Sequence, residues 1–173
     1  MRDVLGLYLN PPAEKALVLS VDEKTAIQAR ERRYPDPPPQ RGRVRRREFK
    51  YQSHGTVSPM AALNVHGGDV LAKDITRNDA LTFCDFLADI DRVIDPTMEI
   101  HLVMDNGSSH TAKTTKAWSK AHPRFVAHYT PPHASWVNQV ELFFSILQRK
   151  VNRNGNFTSR VDLIDKLMRF IAD

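Results

Sequence analysis

Three acidic residues stand apart from the others by where they fall. Asp22 follows directly on the apolar run Ala16-Leu17-Val18-Leu19-Ser20-Val21, and Asp105 follows directly on Glu99-Ile100-His101-Leu102-Val103-Met104. Glu141 comes later, with 35 residues between it and Asp105, near the start of a segment with helical apolar spacing. If the two runs are parallel neighbours in a sheet, their carboxyl ends lie side by side, where open α/β sheets gather ligands. Glu141 adjoins Val140, at the border of the stripe that packs on the sheet, and reaches the same point. Three close carboxylates repel one another unless a cation neutralises them. Hard oxygen ligands select Mg2+ or Mn2+. Two such ions ~3.5–4 Å apart can activate a nucleophile and stabilise the leaving oxygen of an in-line phosphoryl displacement. On position alone, the same acids also suit ordinary strand ends and a solvated helix surface.

The elements that must position these side chains can be read from periodicity. Residues 16–21 form a short apolar run typical of a buried strand. Residues 56–65 and 69–75 read as two strands joined by the turn His66-Gly67-Gly68. Thr76 and Asp79 have capping-box spacing, and Leu81, Cys84, Leu87, Val93 and Ile94 continue as a helix that Pro96 closes. A strand is predicted over 99–104, a shorter helix over 112–121 and a strand over 124–129. After Pro131-Pro132, Val137, Val140, Phe144, Leu147 and Val151 predict a long amphipathic helix. Ser159 and Asp162 form the next capping box, opening a helix through Ile164, Leu167, Met168 and Ile171. The order is that of an α/β fold with a mixed sheet.

The 173 residues suit one domain, with residues 1–15 as an N-terminal extension. No apolar run approaches the ~18 residues of a membrane span, so no membrane role is expected, and the N-terminus shows no secretion signal. Cys84 is the sole cysteine. That excludes an internal disulfide framework and a Cys-rich zinc site, and fits a cytoplasmic location. The net charge of +5 is concentrated. Residues 30–50 carry nine basic and three acidic side chains, a balance of +6, leaving the remainder of the chain at −1. Pro35, Pro37, Pro38 and Pro39 in the same stretch predict an extended loop. An arginine tract including Arg41, Arg43, Arg45, Arg46, Arg47 and Lys50 is the footprint of a nucleic-acid binder, and also of a solvated loop. His128 and His133 are isolated in sequence, and Cys84, Phe143 and Phe144 read as core.

The local words narrow the alternatives. Asp22 lies in Val21-Asp22-Glu23-Lys24, Asp105 in Met104-Asp105-Asn106-Gly107-Ser108-Ser109-His110, and Glu141 in a segment from Pro131-Pro132 through Trp136-Val137-Asn138-Gln139-Val140-Glu141 to Phe144. This ordered set resembles the catalytic domain of DDE transposases of the mariner-like superfamily, in its bacterial insertion-sequence branch, over nearly the whole chain. The resemblance implies an RNase H-like fold, a mixed five-stranded sheet flanked by helices. It further implies that Asp22 bridges two Mg2+ or Mn2+ ions, with Asp105 and Glu141 each completing one. Such a centre would cut DNA at the ends of a mobile element and transfer the freed 3′-hydroxyl to target DNA, in a longer enzyme expected to be a homodimer associated with the bacterial nucleoid. Asn106 and His110 match motif positions and would support the site or touch DNA. Trp136 and Asn138 look like packing and turn residues, with Trp136 also able to stack on a flipped base.

Two departures accompany the resemblance. His133-Ala134-Ser135 and Asn138-Gln139 replace a second proline that relatives often carry before the glutamate. No helix-turn-helix modules are expected within this sequence. A truncated remnant that binds DNA or inhibits the intact enzyme, and a nuclease of the same fold acting on RNA or a hybrid, are the other readings.

Overall fold

A computed structural model describes residues 2–10, 14–34, 42, 50–132, 134–152 and 155–172. Its elements are α1 (Arg2–Leu9), β1 (Ala16–Glu23), β2 (Ile27–Arg32), β3 (Tyr51–Val57), β4 (Pro59–Asn64), β5 (Val70–Asp74), α2 (Ala80–Val93), β6 (Glu99–Met104), α3 (Ser108–Thr111), α4 (Lys113–Ala121), β7 (Phe125–Tyr129), α5 (Val140–Leu147) and α6 (Arg160–Ala172). The main sheet has five strands in the order β5-β4-β1-β6-β7. β1 pairs in parallel with β6, and β6 with β7, while β4 and β5 are antiparallel. The mixed five-stranded sheet expected from the sequence is therefore present.

The apolar run of β1 reflects its central place. Leu19 and Val21 pack with Phe83, Phe86 and Leu87 of α2 on one face. Val18 packs with Val4 and Val103 on the other. Farther along that second face, α5 and α6 cover β4 through Phe144, Leu147, Leu163 and Leu167. Alternation along the strand thus sends Ser20 and Asp22 the same way as Val18.

Several predicted boundaries change. The predicted 56–65 strand divides at Ser58: Val57 ends β3, which pairs with β2 in a separate two-stranded sheet, and Pro59 opens β4 in the main sheet. Proline lacks the N–H a strand interior needs, so it sits at a strand's first residue. β2 itself was hidden by its polar residues, Gln28, Arg30, Glu31 and Arg32, and its second half occupies the start of the tract expected to be loop. The amide of Arg33 donates to the carbonyl of Lys50 at 3.0 Å, so the chain leaves and re-enters the described fold at one point. Arg41, Arg43, Arg45, Arg46 and Arg47 lie outside the described residues, and Lys50 is exposed. Asp79, not Thr76, caps α2, accepting from the Thr82 amide at 2.9 Å. The N-terminal extension contains α1, whose Val4 is buried against Val18, Val103 and Val137.

The predicted 137–151 helix is shorter and interrupted. Residues Ser135–Val137 form a 3-10 turn, α5 spans only Val140–Leu147, and Gln148–Asn152 widen into a π-turn. Polar Gln148, Arg149 and Lys150 are exposed, and Val151 is the one apolar side chain of this stretch packed against the core. The Ser159 cap forms as expected: its Oγ accepts from the Asp162 amide at 3.0 Å, and Asp162 in turn accepts from the Thr158 amide at 3.1 Å. Ser159→Ala is expected to cost about 1 kcal/mol. In a thermal melt that is a fall of roughly 2–4 °C for a chain of this size, and an unchanged melting temperature would show that this cap carries no weight.

Candidate active site

The last parallel pair, Ser20↔Val103, lies two residues before Asp22 and Asp105, which brings the two acids to the same end of the sheet, close enough for the charge of Asp105 to act on Asp22. Asp22 is only 6% exposed. Its Oδ1 accepts from the Glu23 amide at 2.9 Å, and its Oδ2 accepts from the Asn138 side chain at 3.2 Å. Burial pushes the Asp22 carboxyl up to about 7, and the charges of Glu23 and Asp105 add to the rise. Asp105 is half-buried and behaves oppositely. His110 Nδ1 donates to its Oδ1 at 2.8 Å, as does the Gly107 amide, and the bond from His110 holds this carboxyl below the usual range. Burial alone would lower the imidazole, but the hydrogen bond to Asp105 and the charges of Asp105, Glu23 and Asp22 raise it. The glycine at 107 is required by this pairing. A Cβ there would lie 2.9 Å from Asp105 Oδ1 and 3.3 Å from His110 Nδ1.

Asn138, expected to be a turn residue, is fully buried and ties α5 to β1. Its Oδ1 accepts from Ser20 Oγ, and its Nδ2 donates to Val21 O at 3.1 Å as well as to Asp22. Ser20 Oγ also accepts from the Val140 amide at 2.9 Å, satisfying a donor in the first turn of α5. Glu141, half-buried in that same first turn, donates its amide to Asn138 O at 3.1 Å. Asn138→Ala is expected to remove one anchor of Asp22 and strand the buried Ser20 and Val21 groups. That costs about 1–3 kcal/mol by the usual penalty for unpaired buried polar groups, read as a lower denaturant midpoint. The sequence signal for Asn138 was its fixed place three residues before Glu141; for Ser20, its spacing of two from Asp22 on a strand.

Asp22, Glu23 and His110 come together most closely. Each offers a ligand atom within 4.8 Å of the others, and Asp22, Asp105 and Glu141 as a trio do not meet that spacing. The His110 ring packs against Phe83 at a tilt of 50°, with ring centroids 4.5 Å apart. Asn106 is exposed and donates to Thr130 O at 2.6 Å, joining the β6 and β7 ends. Trp136 is 70% exposed, so the packing role expected for it does not hold. His133 lies outside the described residues.

Residues 17–164 match the family described as DDE superfamily endonuclease. The chain belongs to this family. Over 72 residues it is 33% identical to the 39 kDa protein of insertion element IS630 of Shigella sonnei, a stretch covering 42% of this chain and 21% of that protein. The chain thus spans about a fifth of the curated relative it matches. The family assignment bears out the DDE resemblance read from the sequence.

Solved structures share the fold at low identity. The catalytic core of BIV integrase matches with a TM-score of 0.53 at 16% identity, covering 87% of this chain and 80% of that one. The pre-cleavage Mos1 transpososome matches with a TM-score of 0.66 at 11% identity, covering 98% of this chain and 52% of that one. The Mos1 strand transfer complex matches with a TM-score of 0.58 at 15% identity, covering 98% and 50%. These establish the RNase H-like architecture of the DDE domain.

A DDE domain implies a divalent cation, and the donors fit one. Hard carboxylate oxygens converge beside two buried atoms with no hydrogen-bond partner, Glu23 Oε2 and His110 Nε2. A carboxyl pushed up by burial, with the charges of its acidic neighbours adding to the rise, is in the state a cation relieves.

Proposed function

We propose that this DDE domain, over residues 16–173, is the catalytic domain of a bacterial insertion-sequence transposase that cuts DNA at element ends and joins the freed ends to target DNA. The observation that carries the reading is the parallel pairing of β1 with β6, which sets Asp22 beside Asp105 while Asn138 brings the first turn of α5, and with it Glu141, against β1. Asp22, Asp105 and Glu141 would hold two Mg2+ or Mn2+ ions. When bound, these ions supply nucleophile activation and neutralise the leaving oxygen of an in-line displacement. The chain's own contribution is orientation. Asn138 and the Glu23 amide fix the Asp22 carboxylate, while His110 and the Gly107 amide occupy Asp105 Oδ1 and leave Oδ2 for a cation. Asn106 and His110 are supporting residues in this scheme. The longer protein would act as a homodimer at the nucleoid.

DNA would be held by cations beside this edge. A groove of about 570 Å³ lies between the β2–β3 arm and the π-turn after α5, lined by Lys24, Arg30, Tyr51, Gln148, Arg149 and Asn152. Lys24 is two residues from Asp22, so a phosphate backbone in this groove leads toward the acids. The arginines at 41, 43, 45, 46 and 47, which lie outside the described residues, and Lys50 would add phosphate contacts. Arg30→Ala and Arg149→Ala are each expected to weaken DNA binding without regard to sequence and to reduce the log–log salt slope by about 1. Unchanged slopes in both variants would place the DNA elsewhere. The reading as a whole is tested by incubating the chain with DNA carrying element ends and Mn2+: nicks are expected, and their survival in Asp105→Asn would overturn the metal assignment.

A further inference from the structure

The two buried atoms without partners at the site belong to residues outside the three acids assigned above. His110 is 1% exposed, its Nδ1 donates to Asp105, and its Nε2 has no hydrogen-bond partner. Glu23 is held through Oε1 by the side chain of Asn78, and its Oε2 is likewise buried and unpartnered. The two atoms are 3.8 Å apart. That is beyond hydrogen-bond range and within the span of two ligands on one ion, at most about 4.4 Å for bonds of about 2.1–2.2 Å. Asp22 offers an oxygen within 4.8 Å of both.

The arrangement around His110 has a known physical logic. An imidazole that donates one N–H to a carboxylate has its tautomer and ring orientation fixed, and presents the other nitrogen's lone pair to a metal. Asp105 does this to Nδ1, and the ring contact with Phe83 holds the plane. Nε2 then faces the carboxylates of Asp22 and Glu23 with nothing else to bond.

We infer that Glu23 and His110 are metal ligands, joining Asp22 in a mixed oxygen and nitrogen site that binds Mn2+ more tightly than Mg2+. The inference rests on the metal-dependent reading of the Asp22 centre and deepens it. Two carboxylates alone suit Mg2+, Ca2+ and Mn2+, whereas an imidazole adds affinity for first-row transition ions and little for Mg2+. Mg2+ also keeps its waters and its regular octahedron, which a buried three-residue cluster does not readily provide. Asp105 holds the imidazole through Oδ1 and keeps Oδ2 for a second ion, so both roles coexist.

Pulsed EPR of Mn2+ bound to the unmodified chain tests this directly, since it reads ligand nitrogen without any activity. A strong coupling to one directly bound 14N is expected. His110→Asn retains a donor near the Nδ1 position but removes Nε2. It should abolish that coupling, weaken Mn2+ about 10–100-fold and change Mg2+ binding much less. Glu23→Gln should weaken both ions, with the nitrogen coupling retained in whatever Mn2+ still binds. Thermal melts without metal check that each variant folds, and the spectrum of the unmodified chain stands whether or not they do. Mn2+ bound with no directly coupled nitrogen, and affinities within twofold in both variants, would overturn the inference and make Glu23 and His110 a buried ion pair. In that case Asp22→Asn still abolishes Mn2+ binding if the wider metal reading holds. Mn2+ binding unaffected by Asp22→Asn would sink both.

Discussion

Asp22→Asn is expected to lower DNA nicking by at least about a thousandfold. The figure follows from the several kcal/mol that metal-ion catalysis supplies and the 1.36 kcal/mol that each tenfold in rate requires. The reason is local. Asp22 is the acid nearest the centre of the cluster, buried between Glu23, Asn138 and the Asp105–His110 pair. Asparagine keeps the size of the side chain and removes the charge that a divalent ion needs. It also cannot reproduce both hydrogen bonds, because Asp22 accepts through each oxygen, from the Glu23 amide and from Asn138 Nδ2. One of those two donors will face an amide nitrogen. The control is a circular dichroism spectrum and melt showing a folded chain. A folded Asp22→Asn variant that nicks end-containing DNA at even a tenth of the native rate would remove Asp22 from the chemistry.

Phe144→Ala is expected to have the largest effect on stability, about 3–5 kcal/mol for a buried phenylalanine. Phe144 is 1% exposed and packs among Ala61, Val140, Leu147 and Leu163, where α5 and α6 meet the sheet. It is one turn beyond Glu141 on a helix of only eight residues. So short a helix is not stable alone, and its position depends on the packed face. The substitution should therefore lower the denaturant midpoint and also loosen the element that carries Glu141. Nicking should fall at temperatures where most of the chain is still folded. The discriminating comparison is Leu167→Ala, in the same cluster but on α6. If both variants lose activity only in step with unfolding, α5 has no special part in positioning the site.

The two strands that matter most were legible because they are buried on both faces. Residues 16–21 and 99–104 are mostly apolar, with Ser20, Glu99 and His101 the exceptions, and β6 spans the same residues the periodicity predicted. Of the two acids expected to end these runs, Asp105 does follow β6 directly, but β1 runs on to Glu23, so Asp22 lies inside the strand, paired with Ala61 and buried. Their local words, together with Trp136-x-Asn138-x-x-Glu141, identified the family. Short capping patterns were legible only in part. Ser159 capped its helix, with Asp162 accepting from the Thr158 amide in place of Ser159's own, while Asp79 took the cap itself and left Thr76 out.

Tertiary structure decided the rest. The β2–β3 arm was missed because it carries few apolar residues: Gln28, Arg30, Glu31 and Arg32 fill most of β2, and exposed Tyr51, Gln52 and Ser53 open β3. α5 was predicted too long because apolar spacing continues to Val151, whereas the α-helix ends at Leu147 and exposed Gln148, Arg149 and Lys150 follow in the π-turn. Glu23, Asn138 and Ser20 gained their roles only from folding. Each is a polar residue whose meaning depends on partners far away in the chain, Asn138 lying 118 residues from Ser20. A sequence records which groups can donate, accept or hold a charge. Which of them lose access to water together is settled by packing, and that loss is what turns Asp22, Glu23 and His110 into a site.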